Sequence, residues 1–559
     1  MKHDGMSNSD QIISGQIVDV VAGRVFPGSI EISDGRIAAV RHTATASDQY
    51  IVPGLIDAHV HIESSMLPPS EFARLACVHG TVATVSDPHE IANVLGMDGV
   101  NYMIEDGKRV ALKFYFGAPS CVPATGFESA GASLHAGDVG QLLQQPDIRY
   151  LSEMMNFPGV ISGDHEVMEK IQLAKKHHKP VDGHAPGLRG EDAEAYVRAG
   201  ISTDHECISI EEAEEKMALS LHILIREGSA AKSFDALASL IKEHHERCML
   251  CSDDLHPDDL VLGHINLLVK RALALGYDPI HVLRCASLNP VQHYGLDVGL
   301  LQAGDAADFI LVDNLNDFRI QATYIDGVMV AGDGESLIPH LHSASVNCFH
   351  TSNKVPADFR IKAEGAFIKV IEATENQLIT HKSIAKARIT DGEVVSDTSR
   401  DLLKIAVINR YQDASPATAF IKGFGLQRGA IASTVAHDSH NIIAVGTSDA
   451  EISRAVNRLI EQQGGICAVC EEEAMLIPLP IAGLMSDQDG YQLAQSYADL
   501  NHFVRRLGCP MRAPFMTLSF MALLVMPSIK LSDKGLFDGE AFTFISLFAS
   551  EEEQHAAAA

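Results

Sequence analysis

The chain has 559 residues, 46% apolar and 21% charged, enough for about two to four domains and ordinary for a globular protein. Its formal net charge of −30, from 73 acidic against 43 basic residues, argues against a general nucleic-acid surface, whose affinity comes from Lys and Arg meeting phosphates. No apolar run reaches the roughly 20 residues of a membrane span; the longest candidate, residues 515–526, is interrupted by Ser519 and bounded by Pro514 and Pro527.

The N-terminal MKHDGMSNSD lacks a basic region followed by an apolar core, so no signal peptide is expected and the protein reads as cytoplasmic. Residues 11–49 hold short alternating runs, QIISGQIVDVV and SIEISDGRIAAV, parted by Gly and Pro turns. They predict a small antiparallel β layer. The signal returns over residues 300–333 in QAGDAADFILVDN and ATYIDGVMVAGDG. The simplest arrangement is one small β domain, 11–52 plus 300–345, built from both flanks of the chain.

Between the flanks, residues 53–299 alternate strand and helix, which argues for a parallel sheet. Eight candidate strands run over 51–58, 82–86, 111–117, 149–152, 180–183, 201–204, 221–226 and 248–252. Helices with periodic Ala, Leu and Ile separate several of them, as in HEVMEKIQLAKKHH, EDAEAYVRAG and AAKSFDALASLIKEHHE. The fold class expected is α/β: a (β/α)8 barrel with a flanking small β domain and an additional C-terminal α+β domain over 355–550.

Metal-type ligands collect at the carboxyl ends of these strands, the active-site face of such a barrel. In IVPGLIDAHVH, strand periodicity puts Asp57, His59 and His61 on one side, and two imidazoles so spaced can grip one metal ion. The second strand ends in Asp87, His89 and Glu90; the DPHE string also suits the start of a helix. The fourth gives Glu153, the fifth His184, the sixth His205, and the eighth Asp253 and Asp254. A lone strand-end His is commonly a hydrogen-bonded loop residue. A full set on one face points to a metal site.

These residues resemble the amidohydrolase superfamily, whose pattern is HxH after strand one, a bridging ligand after strand four, His after strands five and six, and Asp after strand eight. The chain is similar, more closely, to the bacterial adenine deaminase family. That likeness lies in PGLIDAHVHIESSM, DPHEIANVLG, SEMMNFPGV, DGHAPGL, TDHE, IREGSA and SDDLHPDD. It continues in IKGFGLQRGAIASTVAHDSHNIIAVG, LPIAGLMS and APFMTLSFMALLVMPSIKLSDKGLFD, and so covers essentially the whole chain from about residue 12 to Asp538.

The resemblance implies hydrolysis of adenine to hypoxanthine and ammonia, with a small-molecule purine as substrate. It implies His59, His61, Glu153, His184, His205 and Asp253 as metal ligands. Several superfamily members have a carboxylated lysine where this chain has Glu153; a carboxylate also bridges two ions, so two divalent ions per chain are expected. Carboxylates among the imidazoles favour Mn²⁺ or Fe²⁺, with Zn²⁺ also compatible. Metal coordination brings the pKa of water from about 15.7 to about 7, ready to attack C6 of the purine.

Protons must then reach N1 and the departing amine. Asp253 or Glu90 is the expected carrier, with His89 orienting or donating. Asp87 and Asp254 are expected as supporting acceptors, and Ser64, in HIESSM, as a further residue behind the ligands or against the substrate. The superfamily's strand-eight ligand commonly follows Ser or Thr directly, and Ser252 precedes Asp253. Neighbours on a strand face opposite sides, so only one of the pair is expected to look into the barrel mouth; Asp253 is expected as that metal-facing member, with Asp254 turned to a neighbouring loop.

The C-terminal HDSHN string, with His437, Asp438, His440 and Asn441, has metal-site chemistry but lies between two apolar strand runs. A sharp polar turn and a part in closing the active site both fit. Two CxxC spacings, Cys248/Cys251 and Cys467/Cys470, sit in strand-like runs where residues three apart face opposite sides, so neither pair chelates one ion. No Pro precedes either, which excludes the zinc deaminases with an H-x-E and P-C-x-x-C signature. A cyclic-amide hydrolase of the same superfamily shares the ligands, and a non-catalytic scaffold would be missing some. The expected assembly is a homo-oligomer, a dimer first, with no nucleic-acid or membrane partner.

Overall fold

A computed structural model describes residues 11–45, 47–375 and 377–558. The MKHDGMSNSD segment used for the signal-peptide reading lies outside the described residues. Strands from both flanks pair in one eight-stranded sheet. Its order is Glu335–Ser336, Val328–Gly332, Ile320–Ile325, Phe309–Val312, Tyr50–Pro53, Gln11–Asp19, Arg24–Ser33, Arg36–His42. Three of its hairpins turn on Asp-Gly pairs, Asp34-Gly35, Asp326-Gly327 and Asp333-Gly334, with positive φ at both residues, the conformation that matches strand twist in two-residue loops. The layer is not antiparallel throughout: Gln11–Asp19 pairs in parallel with Tyr50–Pro53. Three antiparallel strands leave the chain running as it began, and Tyr50–Pro53 takes the other edge of the first strand in that same direction.

The middle of the chain forms two curled parallel sheets. One holds Leu55–Val60, Thr81–Ser86, Lys113–Ala118, Ile148–Met154 and Val181–Gly183; the other holds Thr203–Asp204, His222–Arg226 and Cys248–Cys251. Backbone bonds join them at both ends. Ser202 N donates to Val181 O at 2.9 Å, Asp253 N to His59 O at 2.9 Å, and His61 N to Asp253 O at 3.1 Å. Leu55–Val60 and Thr81–Ser86 are buried at every position, as strands covered on both faces must be. The arrangement fits a (β/α) barrel. One expected helix departs from its string: residues 230–246 form two short helices, Phe234–Leu237 and Leu240–His244. At the join Ile241 N and Lys242 N bond to Ala238 O and Ser239 O, three residues back, which tightens the turn.

Residues 367–478 form a second eight-stranded sheet, with helices Asp449–Gln462 and Gly490–Arg506 beside it, so the C-terminal part is mostly β. The Cys pairs split between separate cores: Cys248 packs with Ile223 and Leu250, Cys251 with Ile56 and Met249. Cys467 and Cys470 divide in the same way. No helix among the described residues is long and apolar enough to cross a membrane.

The sixth strand's end is fixed by a buried lysine. Lys216 Nζ donates to Asp204 Oδ2 at 2.8 Å, Glu212 Oε1 at 2.7 Å and Ala185 O at 2.6 Å. Removing one partner of such a buried set strands the others, at about 3–5 kcal/mol. Lys216→Met is expected to lower unfolding free energy by that amount in urea titration, with Lys216→Arg losing less.

Candidate metal centre

The polar ends of the parallel strands converge. His59 Nε2 lies 3.2 Å from His61 Nε2, because alternate residues at the end of one strand turn inward together. His61 Nδ1 donates to the Asp87 carbonyl at 3.1 Å, which leaves Nε2 facing the cluster. From there His61 Nε2 is 3.3 Å from Glu153 Oε1 and 3.2 Å from Asp253 Oδ1. The other Glu153 oxygen, Oε2, is 2.8 Å from His184 Nδ1 and 3.2 Å from His205 Nε2. The carboxylate therefore spans two halves of one cluster.

All six expected ligands meet here, each buried. Ligand atoms of His59, His61 and Asp253, and likewise of His59, Glu153 and His205, lie within 4.8 Å of one another. His184 Nε2 and His59 Nδ1 are buried with no hydrogen-bond partner. Imidazole nitrogens pointing at one another and at shared carboxylates suit metal ions. The residues present fit the group. Burial works to raise the Glu153 carboxyl, yet His184, His205 and His61 hold it well below the usual range.

The surrounding shell sorts the remaining predicted residues. Asp57 does not join the cluster: it accepts from Ser252 N at 3.0 Å and lies 2.8 Å from His264 Nε2, anchoring the residue before Asp253. Asp87 accepts from Ser152 Oγ at 2.7 Å and sits 3.1 Å from His89 Nδ1. Its Oδ1 also accepts from His89 N at 3.1 Å, at the start of helix His89–Leu95, so site contact and helix start coexist. Ser64 Oγ donates to Asp254 Oδ1 at 2.6 Å, turning that carboxylate to the loop after the first strand.

The C-terminal HDSHN string reaches the same place. His437 Nδ1 lies 2.5 Å from Glu90 Oε1, and His440 Nε2 engages Glu90 Oε2. Both Glu90 oxygens are thus held by histidines nearly 350 residues away in the chain. The string is also a tight turn, with His440 N donating to Ala436 O at 2.7 Å. A small cavity lies between, lined by His61, His89, Glu153, Asp253, His437 and Asp438 among others. Leu378, Phe520 and Leu523 supply its apolar wall.

With this geometry in place, comparison with known proteins is direct. Residues 50–330 match the amidohydrolase family profile, and residues 377–543 match the adenine deaminase C-terminal domain. A protein named adenine deaminase from Salinibacter ruber is 55% identical over 538 residues, covering 96% of this chain and 98% of its own. One of that name from Sulfurovum sp. is 55% identical over 529 residues, covering 94% and 98%. Another from Methanosarcina mazei is 51% identical over 551 residues, covering 96% and 99%. The chain belongs to the adenine deaminase family. The C-terminal match contains His437, Asp438 and Phe520, so the cavity is built from both matched regions.

Two residues of this family member carry charge in the site that the strand-end pattern did not single out. Arg226, at the end of strand His222–Arg226, pairs Nη1 with Asp253 Oδ2 at 2.5 Å and with Glu206 Oε1. Glu206 lies 3.3 Å from His205 Nε2; against burial, Arg226 and then His184 hold it down to about 2. The available signal was position: Arg226 stands in IREGSA at a strand end, and Glu206 directly follows His205 in TDHE.

Proposed function

We propose that this chain hydrolyses adenine to hypoxanthine and ammonia at a centre of two divalent ions. The observation that carries it is Glu153, one oxygen towards His61 and the other towards His184 and His205. That placement is what a bridging ligand needs. His59, His61, Glu153, His184, His205 and Asp253 would hold the ions, with Mn²⁺ or Fe²⁺ favoured by the carboxylates and Zn²⁺ also compatible. When bound, the ions supply a water acidified from about 15.7 towards about 7 and a Lewis acid for the developing charge.

The chain's own residues do the rest. Asp253, buried at the cavity with Arg226 behind it, takes one proton from water and passes it to the purine N1, then takes the second from the new C6 hydroxyl and passes it to the departing amine, leaving the C6 carbonyl of hypoxanthine. His89, held by Asp87 Oδ2 at 3.1 Å, orients or donates beside it. Glu90, gripped by His437 and His440, ties the C-terminal part over the cavity, which excludes bulk water. Asp87, Asp254 and Ser64 fix the ligands from behind.

The same reading takes the two parallel sheets as one closed (β/α)8 barrel over 53–299. The small β domain is then 11–52 plus 300–345, and the C-terminal domain 355–550. It places the protein in the cytoplasm as a homodimer, without nucleic-acid or membrane partners. Ammonia release measured with adenine, adenosine and a hydantoin-type ring tests the assignment. Adenine is expected to react and the other two not; equal rates with adenosine would mean that the ribose position is open, and turnover of the hydantoin alone would replace adenine as the substrate.

A further inference from the structure

The HDSHN string does more than brace the barrel. His437 is 3% exposed and lines the cavity that holds the metal-type ligands. Its Nδ1 is committed to Glu90 Oε1 at 2.5 Å. Its ring lies against Phe520, centroids 5.1 Å apart and planes 28° apart, so it cannot swing freely. The remaining ring nitrogen, Nε2, is buried with no hydrogen-bond partner. A buried polar atom without a partner is costly, and here it belongs to a residue that lines the same cavity as the metal-type ligands.

We propose that His437 Nε2 is a substrate-contacting group, donating a hydrogen bond to a purine ring nitrogen outside the reacting N1–C6 edge, N3 or N7. The assignment rests on the adenine reading above. Glu90 is then a positioning residue: a carboxylate on Nδ1 fixes the orientation of the ring and favours a proton on both nitrogens. The surroundings agree. Burial alone would lower His437, but Glu90 first, with Asp254 and Asp438, pushes it up to about 9. A ring so held, with Nδ1 on a carboxylate, favours the doubly protonated form, in which Nε2 is a donor with no partner among the described residues. The reacting edge is left to Asp253 and the metal ligands on the barrel side, while the C-terminal part reads the other side of the ring. A catalytic barrel is thereby coupled to a recognition element that arrives from a separate part of the chain.

The test crosses enzyme variants with ring-nitrogen deletions in the ligand. His437→Asn keeps an amide near the Nδ1 position for Glu90 but lacks the reach of Nε2; His437→Gln places an amide near Nε2. Competitive inhibition constants are measured for purine, 3-deazapurine and 7-deazapurine on fully metallated enzyme, each variant first checked for parental metal content. In the parent, one of the two deaza compounds is expected to bind about 10- to 100-fold more weakly than purine, the span of a hydrogen bond to a charged group. In His437→Asn that ratio should fall to about one, and His437→Gln should restore part of it. Identical deaza-to-purine ratios in parent and His437→Asn, for both compounds, would overturn the contact and leave His437 a structural brace. Failure of the parent to release ammonia from adenine would instead overturn the substrate reading, independently of these ratios.

Discussion

Asp253→Asn is expected to cut the rate of adenine deamination by at least about 10²–10⁴-fold, the loss typical of a positioned acid–base group. Metal loss should add to that, because Asp253 Oδ1 stands 3.2 Å from His61 Nε2 and 3.8 Å from His59 Nε2. Asp254→Asn should cost less and keep its metal, since Asp254 spends one oxygen on Ser64 Oγ at 2.6 Å. Strand alternation is not what separates the two. The strand ends at Cys251, and Asp253 takes a left-handed backbone at φ 60°, a conformation uncommon for residues other than glycine. That turn swings the Asp253 side chain into the cluster, where Arg226 meets its other oxygen at 2.5 Å. Metal content and steady-state rates of the two purified variants decide the matter. A dead, metal-poor Asp254→Asn beside an active Asp253→Asn would reverse the roles.

The convergence of the six expected ligands was readable because strand-end chemistry is local. His59 and His61 stand one residue apart, and a run of buried apolar residues before them marks the strand that aims them. The flanking sheet was readable for a similar reason: alternating runs with Asp-Gly turns announce hairpins in a window of a dozen residues. The pairing between those flanks followed only from the simplest closure, and its single parallel pair did not follow at all. What the sequence hid is long-range. Nothing in DPHE says that Glu90 will be gripped by His437 and His440, because those residues come from a loop between strands Ala430–Ser433 and Ile442–Gly446 of another sheet. Arg226 was hidden differently. A lone Arg at a strand end is as consistent with a solvated rim as with the carboxylate pair it holds, and only the closure of the strands around the cavity tells these apart.

The same distinction between local ligands and long-range closure sets the last expectation. Glu153→Gln should release one of two metal ions per chain and reduce activity by more than the 10–100-fold typical of losing an outer hydrogen-bond partner. Its two oxygens divide the cluster, Oε1 at 3.3 Å from His61 and Oε2 at 3.2 Å from His205, so both halves depend on one carboxylate. An amide keeps the shape but offers a neutral oxygen on one side and an N–H₂ on the other, which repels a cation. Without metal, the Glu153 carboxylate is also the partner of His184 Nδ1 at 2.8 Å and lies 3.2 Å from His205 Nε2, so the substitution is expected to cost stability as well. Thermal unfolding of the metal-free parent and variant measures that cost separately, while elemental analysis of the loaded proteins should read two ions against one. Two tightly held ions in Glu153→Gln, or a single ion in the fully active parent, would remove the bridge and with it the binuclear centre.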